Sequence, residues 1–350
     1  MAVPRDLSST AFDISEASPE SLFQFMADQG WSDGLPVIPP TPDRVRAMVN
    51  YVQRDATELV GYINPDAGSA TVEKIAVNAV MAGCLPEYMP VLIAAVQAIT
   101  EPEFNIHGLQ TTTNPVSPLL IINGPVREQI GLNSKRGTLG PGYRANATIG
   151  RAVRLLLLNV GGAKPWTTDM ALHGSPAKYV SCMGENEEES IWEPLHVERG
   201  FSAVESTVTV VGAQGMSNCL TFYKEPESFL TMIASAMADI SDNNYLLAAG
   251  NPLVILTPGH AQIFSDGGYT KQMVKEALFE LCKVPIDKFP KETSVITYED
   301  GFAMDGDRVC PCRSANDLIV VVSGGPEPYH VLYCGNFGDT TAVTKAVQLP

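Results

Sequence analysis

Alternating apolar and polar stretches divide the chain into predicted helices and strands. Residues 19–26 and 42–52 are predicted helices because each follows an N-cap residue and begins with proline, as in Ser18-Pro19 and Thr41-Pro42. After residue 55 the pattern predicts a repeat, with each unit holding helices around one continuously apolar strand. The first unit has an apolar run at 58–63, helices at 72–82, 89–99 and 146–158, and a strand at 118–123; the second has strands at 206–213 and 251–257 and helices at 226–240 and 270–282.

The two apolar strands decide the predicted fold class. Continuous apolar runs at 118–123 and 251–257 suit strands that are buried on both faces, as in parallel α/β sheets. We predict an α/β fold with two related α/β units, a possible internal duplication, around a central ligand-binding cleft. The alternative is that any two α/β stretches look alike. The predicted parts are an N-terminal extension with helices (1–55), the first unit (56–160), an acidic linker that contributes to the site (161–203), and the second unit with a C-terminal strand segment (204–350).

Charge and cysteine content narrow the function classes. The 350-residue chain has a net charge of −16, so it has no electrostatic reason to bind nucleic acid or an anionic membrane. No apolar stretch is long enough to span a bilayer, and the N-terminus lacks the apolar segment of a secretory signal. Seven cysteines, an odd number, indicate reduced thiols. We expect a cytoplasmic protein that forms a homo-oligomer.

The most unusual segment is an acidic run at 183–201. Six carboxylates lie close to His196 and Arg199, and Trp192 and Leu195 stand among them. Buried-type residues at that density predict that the run folds back over the site, although a charged loop anchored by one tryptophan is the alternative. Carboxylates beside an imidazole suit acid–base work or a divalent metal. The candidate catalytic residues here are Glu188 and His196, the candidate metal ligands are Glu185, Glu188 and His196, and Arg199 is a candidate substrate-binding residue.

A thiol and a polar loop form a second group of candidates. Cys84 lies between two predicted helices, and a thiol near a helix N-terminus has a lowered pKa, so Cys84 is the predicted nucleophile. A buried structural cysteine is the alternative. The loop at 105–118 supplies His107 as its predicted general base, with Thr112 and Asn114 as substrate-binding groups.

A basic, glycine-rich loop precedes the helix predicted at 146–158. Arg144 and Asn146 near that helix start predict an anion site, since free backbone N–H groups and an arginine favour an anion there. A helix cap with a surface arginine is the alternative. The segment matches neither the phosphate-binding loop nor the dinucleotide-binding glycine pattern, so no nucleotide cofactor motif is present.

Other candidates are weaker. Cys310-Pro-Cys312 could bind a soft metal or form a redox pair, but is more typical of a loop. His260 and His330 follow predicted strands and are held in reserve, and His173 has no partner in the sequence.

Several of these segments resemble a family of largely uncharacterised bacterial proteins associated with a smaller partner that bears a UGSC motif (Sec/Cys-Gly-Ser-Cys). The similarity covers roughly residues 30–280. The partner's motif implies thiol or selenol redox chemistry, by association only. The strings that carry the resemblance are those at 32–41, 83–90, 105–108, 140–151 and 186–201.

Together these patterns predict an enzyme of lyase or hydrolase type that cleaves a carbon–heteroatom bond of a small anionic metabolite. A divalent metal is the candidate cofactor. Two alternatives stay open: a non-catalytic subunit that completes a site on a thiol or selenol partner protein, and a small-molecule binding protein.

Overall fold

The computed structural model describes residues 7–10, 12–13, 18–247, 250–292, 302–338 and 340–350. Its α-helices are α1 (Pro19–Asp28), α2 (Pro42–Val52), α3 (Val72–Ala82), α4 (Met89–Ile99), α5 (Ile106–Thr111), α6 (Val126–Gln129), α7 (Arg144–Asn159), α8 (Leu195–Glu198), α9 (Pro226–Met237), α10 (Asn243–Leu246), α11 (Pro258–Asp266) and α12 (Lys271–Leu281). Its strands are β1 (Leu59–Ile63), β2 (Gly68–Thr71), β3 (Ser117–Asn123), β4 (Cys182–Gly184), β5 (Thr207–Leu220), β6 (Leu253–Leu256), β7 (Val284–Pro285), β8 (Met304–Asp305), β9 (Arg308–Val309), β10 (Ile319–Val322), β11 (His330–Asn336) and β12 (Val343–Ala346).

The predicted helices form where capping and periodicity indicated. The Ser18 side chain accepts a hydrogen bond from the Ser21 backbone at the start of α1, and α3 and α4 have the predicted bounds. None of the helices in the part of the chain described by the structure is both long and apolar enough to cross a membrane.

A mixed sheet organises the molecule, and this confirms the α/β class. Its strand order is β10-β6-β11-β5-β3-β4, and β12 pairs with β5. The pairs β3–β4 and β6–β10 are parallel, whereas β5 and β11 run antiparallel to their neighbours. The expectation of a parallel sheet therefore holds only for those two pairs. The apolar runs cannot reveal direction, because a strand covered on both faces is apolar in either arrangement.

The sheet curls until its two outer strands approach each other. The backbone N–H of Asn186, just after β4, donates to the carbonyl of Val322 at 2.8 Å. The Ser323 hydroxyl, just after β10, donates to the Gly184 carbonyl at 2.7 Å. Where the sequence predicted a cleft, the concave face carries a buried apolar cluster that includes Leu119, Ile121, Met183, Val211, Ile255 and Val321.

Two helical layers cover the convex face of the sheet. Helices α3, α4 and α7 pack on β3 and the first half of β5, and they form the first outer cluster. Helices α9, α11 and α12 pack on β6, β10 and β11, and they form the second outer cluster. The C-terminal strand β12 packs against the first cluster through Val343, although its sequence position is in the second predicted unit.

Candidate functional site

A pocket of about 730 Å³ opens beside the second half of α7. Its walls are the turn at 32–34, the helix face that carries Arg154 and Leu158, and the loop at 165–179. The turn at 32–34 lies in one of the strings that carry the family resemblance. The pocket lies on the first unit, outside the concave face of the sheet.

Three charged side chains meet in the pocket wall. Lys178 Nζ lies 2.7 and 2.8 Å from the two carboxylate oxygens of Asp169. Arg154 Nη1 lies 3.6 Å from the same carboxylate, and both cationic side chains are only 12–13 % exposed. Burial lowers the pKa of Lys178, against the opposing effect of Asp169, and burial also lowers the pKa of Arg154. Two cationic side chains thus share one carboxylate in a pocket wall that is largely shielded from water.

A buried ion pair holds the turn at 32–34 against α7. Arg151, one helical turn before Arg154, binds both carboxylate oxygens of Asp33 at 2.8 Å. It also donates to the carbonyls of Leu35 and Pro36. The side chain of Asp33 is 3 % exposed, so this pair shapes the wall without offering a free charge.

A tight turn at 164–169 directs the Asp169 side chain into the protein and the Trp166 side chain toward solvent. The backbone N–H of Lys164 donates to the Thr168 hydroxyl at 2.8 Å, and that of Trp166 donates to the Asp169 carbonyl at 3.1 Å. Trp166 has a φ of 64° and its side chain projects from the turn, 84 % exposed. Asp169 is buried and faces Lys178.

The polar loop singled out from the sequence packs behind this pocket. Gln110 Oε1 lies 3.4 Å from Arg154 Nη1, and the Leu172 backbone donates to the Thr113 carbonyl at 3.0 Å. Thr112 and Asn114 hydrogen-bond each other at 3.0 Å and do not line the pocket. Their geometry is that of a self-bonded turn.

The expected lowering of the Cys84 pKa is wrong. Cys84 is buried, its thiol donates to the Thr148 carbonyl at 3.3 Å, and burial raises its pKa to about 12. The physical reason is burial, because a thiolate loses its hydration in the interior. Gly83, with a φ of 94°, ends α3, and Cys84 follows it in the core. His107 is exposed on α5, and an exposed imidazole does not form a general-base pair with a buried thiol.

The side-chain donors that were predicted to bind an anion, those of Arg144 and Asn146, make hydrogen bonds within the protein. The buried Asn146 amide accepts from the Asn133 backbone and donates to the Asn133 and Thr138 carbonyls, and so fastens the loop to α7. The exposed Arg144 donates through Nε to the Gly83 carbonyl at 3.0 Å. Neither residue lines the pocket.

The acidic run packs against the rest of the protein and is not a free tail, but none of its residues lines the pocket over which it was predicted to fold. Leu195 is 1 % exposed, and Trp192 packs on the second outer cluster with its ring stacked on Phe264 at 6.3 Å. Glu185 lies at the end of β4, fully buried, and accepts from the Asn123 side chain at 2.7 Å and the Leu195 backbone at 2.8 Å. Burial raises the Glu185 pKa.

The predicted metal ligands do not come together. Glu188 binds Arg127 at 2.8 Å, a hydrogen bond that lowers the Glu188 pKa. His196 is fully buried, and neither ring nitrogen has a hydrogen-bond partner among the residues that the structure describes. Arg199 donates to the Ala342 carbonyl at 3.0 Å. Over residues 7–350, apart from the gaps given above, no three His, Cys, Asp or Glu side chains are grouped so that they could hold a metal ion.

The reserve candidates are structural or exposed. His260 is buried between the Thr221 and Thr257 hydroxyls at 2.9 and 2.7 Å, and burial lowers its pKa to about 4. His330 is exposed at the start of β11. Cys310 and Cys312 are buried free thiols.

Sequence reasoning missed the residues that do line a pocket. Arg154 reads as one more polar position on an amphipathic helix, and His173, taken as a loop residue, lies in the pocket wall. The available signal was Pro165-Trp166-Thr-Thr-Asp169, a turn that carries a large aromatic residue and a carboxylate three positions apart. Comparisons with protein-family models, curated proteins and solved structures found no match to this chain.

Proposed function

We propose that this protein is an enzyme that cleaves a carbon–heteroatom bond of a small anionic metabolite in the pocket beside α7. The observation that carries the proposal is the buried Lys178–Asp169 pair in the wall of a 730 Å³ pocket that also holds Arg154. Titratable groups with displaced pKa values in a concave pocket are typical of functional sites.

Arg154 is the proposed anion-binding residue. While Lys178 is protonated, its charge and that of Arg154 exceed the single charge of Asp169, so this wall is locally cationic in a chain of net charge −16. Arg154 keeps its charge when Lys178 is the neutral amine. A guanidinium presents several N–H donors in one plane and binds carboxylates well. Its low exposure strengthens the attraction, because fewer water molecules screen it.

Lys178 is the proposed proton-transferring group. A lysine whose pKa is lowered by burial is more readily the neutral amine that a general base must be. It would remove a proton from the carbon next to the bound anionic group, and the heteroatom on the following carbon would leave with the bonding electron pair. His173 and Tyr179 also line the pocket, where either side chain can protonate the leaving atom. In a hydrolase variant, Lys178 would instead take the proton of an attacking water.

Two substitutions with matched controls test this assignment. Lys178→Arg keeps the charge beside Asp169 but stays protonated, so substrate binding persists while turnover falls about 10²–10⁴-fold. Arg154→Gln should weaken binding of the anion. Lys164→Met, in the exposed part of the same loop, and Arg46→Gln, in an exposed ion pair, should change neither.

Activity would be sought with pooled anionic metabolites, followed by mass spectrometry of the consumed compound. Unchanged turnover in Lys178→Arg would rule out its role as a base. The alternative of a subunit that completes the site of a thiol or selenol partner predicts stable co-purification with a second chain and no turnover by this chain alone.

We also infer that the two halves arose by duplication. Strand β3 has a parallel neighbour (β4) and an antiparallel neighbour (β5), and β6 has the same two kinds of neighbour in β10 and β11. In each half these three strands follow one another in the same chain order within the main sheet. This division places β5, predicted as the first strand of the second unit, in the first half. Superposition of the two three-strand sets should bring α7 onto α12, and a mismatch of these helices would count against duplication.

A further inference from the structure

Three large hydrophobic side chains, one of them a tyrosine with a hydroxyl group, stand at the rim of the pocket beside α7. Trp166, Leu172 and Tyr179 all line it and are 84 %, 67 % and 47 % exposed. The charged groups, Arg154, Lys178 and Asp169, are buried in its wall. The pocket therefore has an apolar rim and a charged interior.

The exposed position of Trp166 is built into the turn and does not serve the core. Its φ of 64° is an uncommon conformation for a bulky residue. Hydrogen bonds within 164–169 fix this turn, with both Trp166 N–H and Lys164 N–H committed. Strained backbone that is held this firmly is characteristic of ligand-binding sites.

The size of the pocket leaves room for more than a small acid. A pocket of about 730 Å³ lies within the roughly 300–1,000 Å³ typical of pockets that enclose drug-sized molecules. An acid with only a few heavy atoms, held by Arg154 and Lys178, would leave the side chains of the rim uncovered.

We propose that the pocket takes an amphipathic anion: a carboxylate head against Arg154 and Lys178, and a planar aromatic body against Trp166. The faces of indole and of an aromatic ring attract each other in offset-stacked and edge-on contacts. Leu172 and Tyr179 cover the rest of the body. This inference rests on the proposed function for the use of the pocket, and it adds the class of substrate.

The test measures separately how much the carboxylate and the aromatic ring of the ligand contribute to affinity. Binding of 3-phenylpropanoate, butanoate and 3-phenylpropanamide to the whole chain would be measured by calorimetry, and quenching of tryptophan fluorescence would be followed in parallel. We expect 3-phenylpropanoate to bind about tenfold or more tightly than either of the other two probes, because only it has both parts. Other aryl carboxylates should follow the same order over their alkyl counterparts.

Substitutions then assign the contacts. Trp166→Ala should lower affinity for 3-phenylpropanoate about tenfold, with little effect on butanoate, and Trp166→Phe should restore most of it. Arg154→Gln should weaken both acids. Tyr62→Ala removes another exposed aromatic residue, one that does not line the pocket, and it should change neither affinity.

The outcomes separate this inference from the proposed function. Equal affinity for the aryl and alkyl acids, or no binding of either, would overturn the aromatic ligand even if some other anion is turned over in a Lys178-dependent reaction. Trp166-dependent binding with no turnover of any anion would support the ligand class and count against the enzyme. A change in the oligomeric state of Trp166→Ala in solution, without a change in its affinity for the acids, would show that Trp166 contacts another protein chain. That result would also overturn the inference.

Discussion

At the scale of single residues, Asp242 makes a prediction about pH. Its carboxylate is 8 % exposed and accepts from the Asn244 backbone at 3.0 Å and the Tyr333 hydroxyl at 3.2 Å. Burial raises its pKa to about 6. The unfolded chain has the ordinary value of about 3.9, so between the two pH values the folded state binds more protons. The stabilisation that Asp242 contributes is full below about pH 4 and is lost as pH rises through about 6.

Replacing this carboxyl tests the sign of its contribution. Asp242→Asn removes the titration, so its free energy of unfolding should gain up to about 3 kcal/mol relative to the wild type between pH 4 and 7. Denaturant titrations at several pH values would measure this. Asp28→Asn, at an exposed position of α1, should run parallel to the wild type. A constant difference between Asp242→Asn and the wild type across this range would show that Asp242 is ionised throughout.

Which residues are chemically special was the part least predictable from the sequence. The sequence correctly drew attention to Trp192 and Leu195, because bulky apolar residues in an acidic run must pack somewhere. The sequence could not show whether the Cys84 thiol is reactive, because the pKa of a thiol depends on its burial and its neighbours in the fold. The sequence contained no signal for Lys178, because its pKa is lowered by burial in a pocket whose walls come from segments more than a hundred residues apart.

At the scale of elements, the contact between α7 and the turn at 32–36 depends on one ion pair. Arg151 and Asp33 are 14 % and 3 % exposed, so removing one partner leaves a buried charge. Arg151→Gln should lower the free energy of unfolding by about 3–5 kcal/mol. The exposed pair Arg46–Asp43, 51 % and 96 % exposed, is the matched control, and Arg46→Gln should cost less than about 1 kcal/mol.

The same substitution should also affect the pocket, because the turn at 32–34 forms one wall. Thermal and chemical denaturation give the stability of each variant, and calorimetry with an aryl carboxylate gives the affinity. Equal losses of stability in the two arginine variants would contradict a structural role for the buried pair.

Helices were predicted better than strand pairing. Capping residues and periodicity are local signals, so the bounds of α3 and α4 follow from the sequence alone. Strand β4 has three residues, and β11 begins at His330, which the sequence offered only as a reserve site candidate. Their pairing is fixed by partners far along the chain, and a short strand gives too few positions to show a pattern.

At the scale of the whole molecule, one strand joins the three largest apolar clusters. Strand β5 contributes Val208 to the first outer cluster, Val211 to the concave cluster and Cys219 to the second outer cluster. The contacts of Ser323 with Gly184 and Ser134 bind the two ends of the sheet together as well. A chain of 350 residues often unfolds in separate stages. Here the shared strand and the joined edges predict one transition for both halves.

Tryptophan fluorescence can follow each half separately in a Trp166→Phe background. Trp31 packs on the first outer cluster and Trp192 on the second, so replacing one leaves the other as a single reporter. We expect both reporters to show the same denaturant midpoint. Ser323→Ala removes a buried donor and should lower both midpoints together, by about 1–3 kcal/mol in free energy, whereas Ser241→Ala at an exposed position should leave them in place. If only the Trp192 midpoint moves, the halves unfold independently and the joined edges do not couple them.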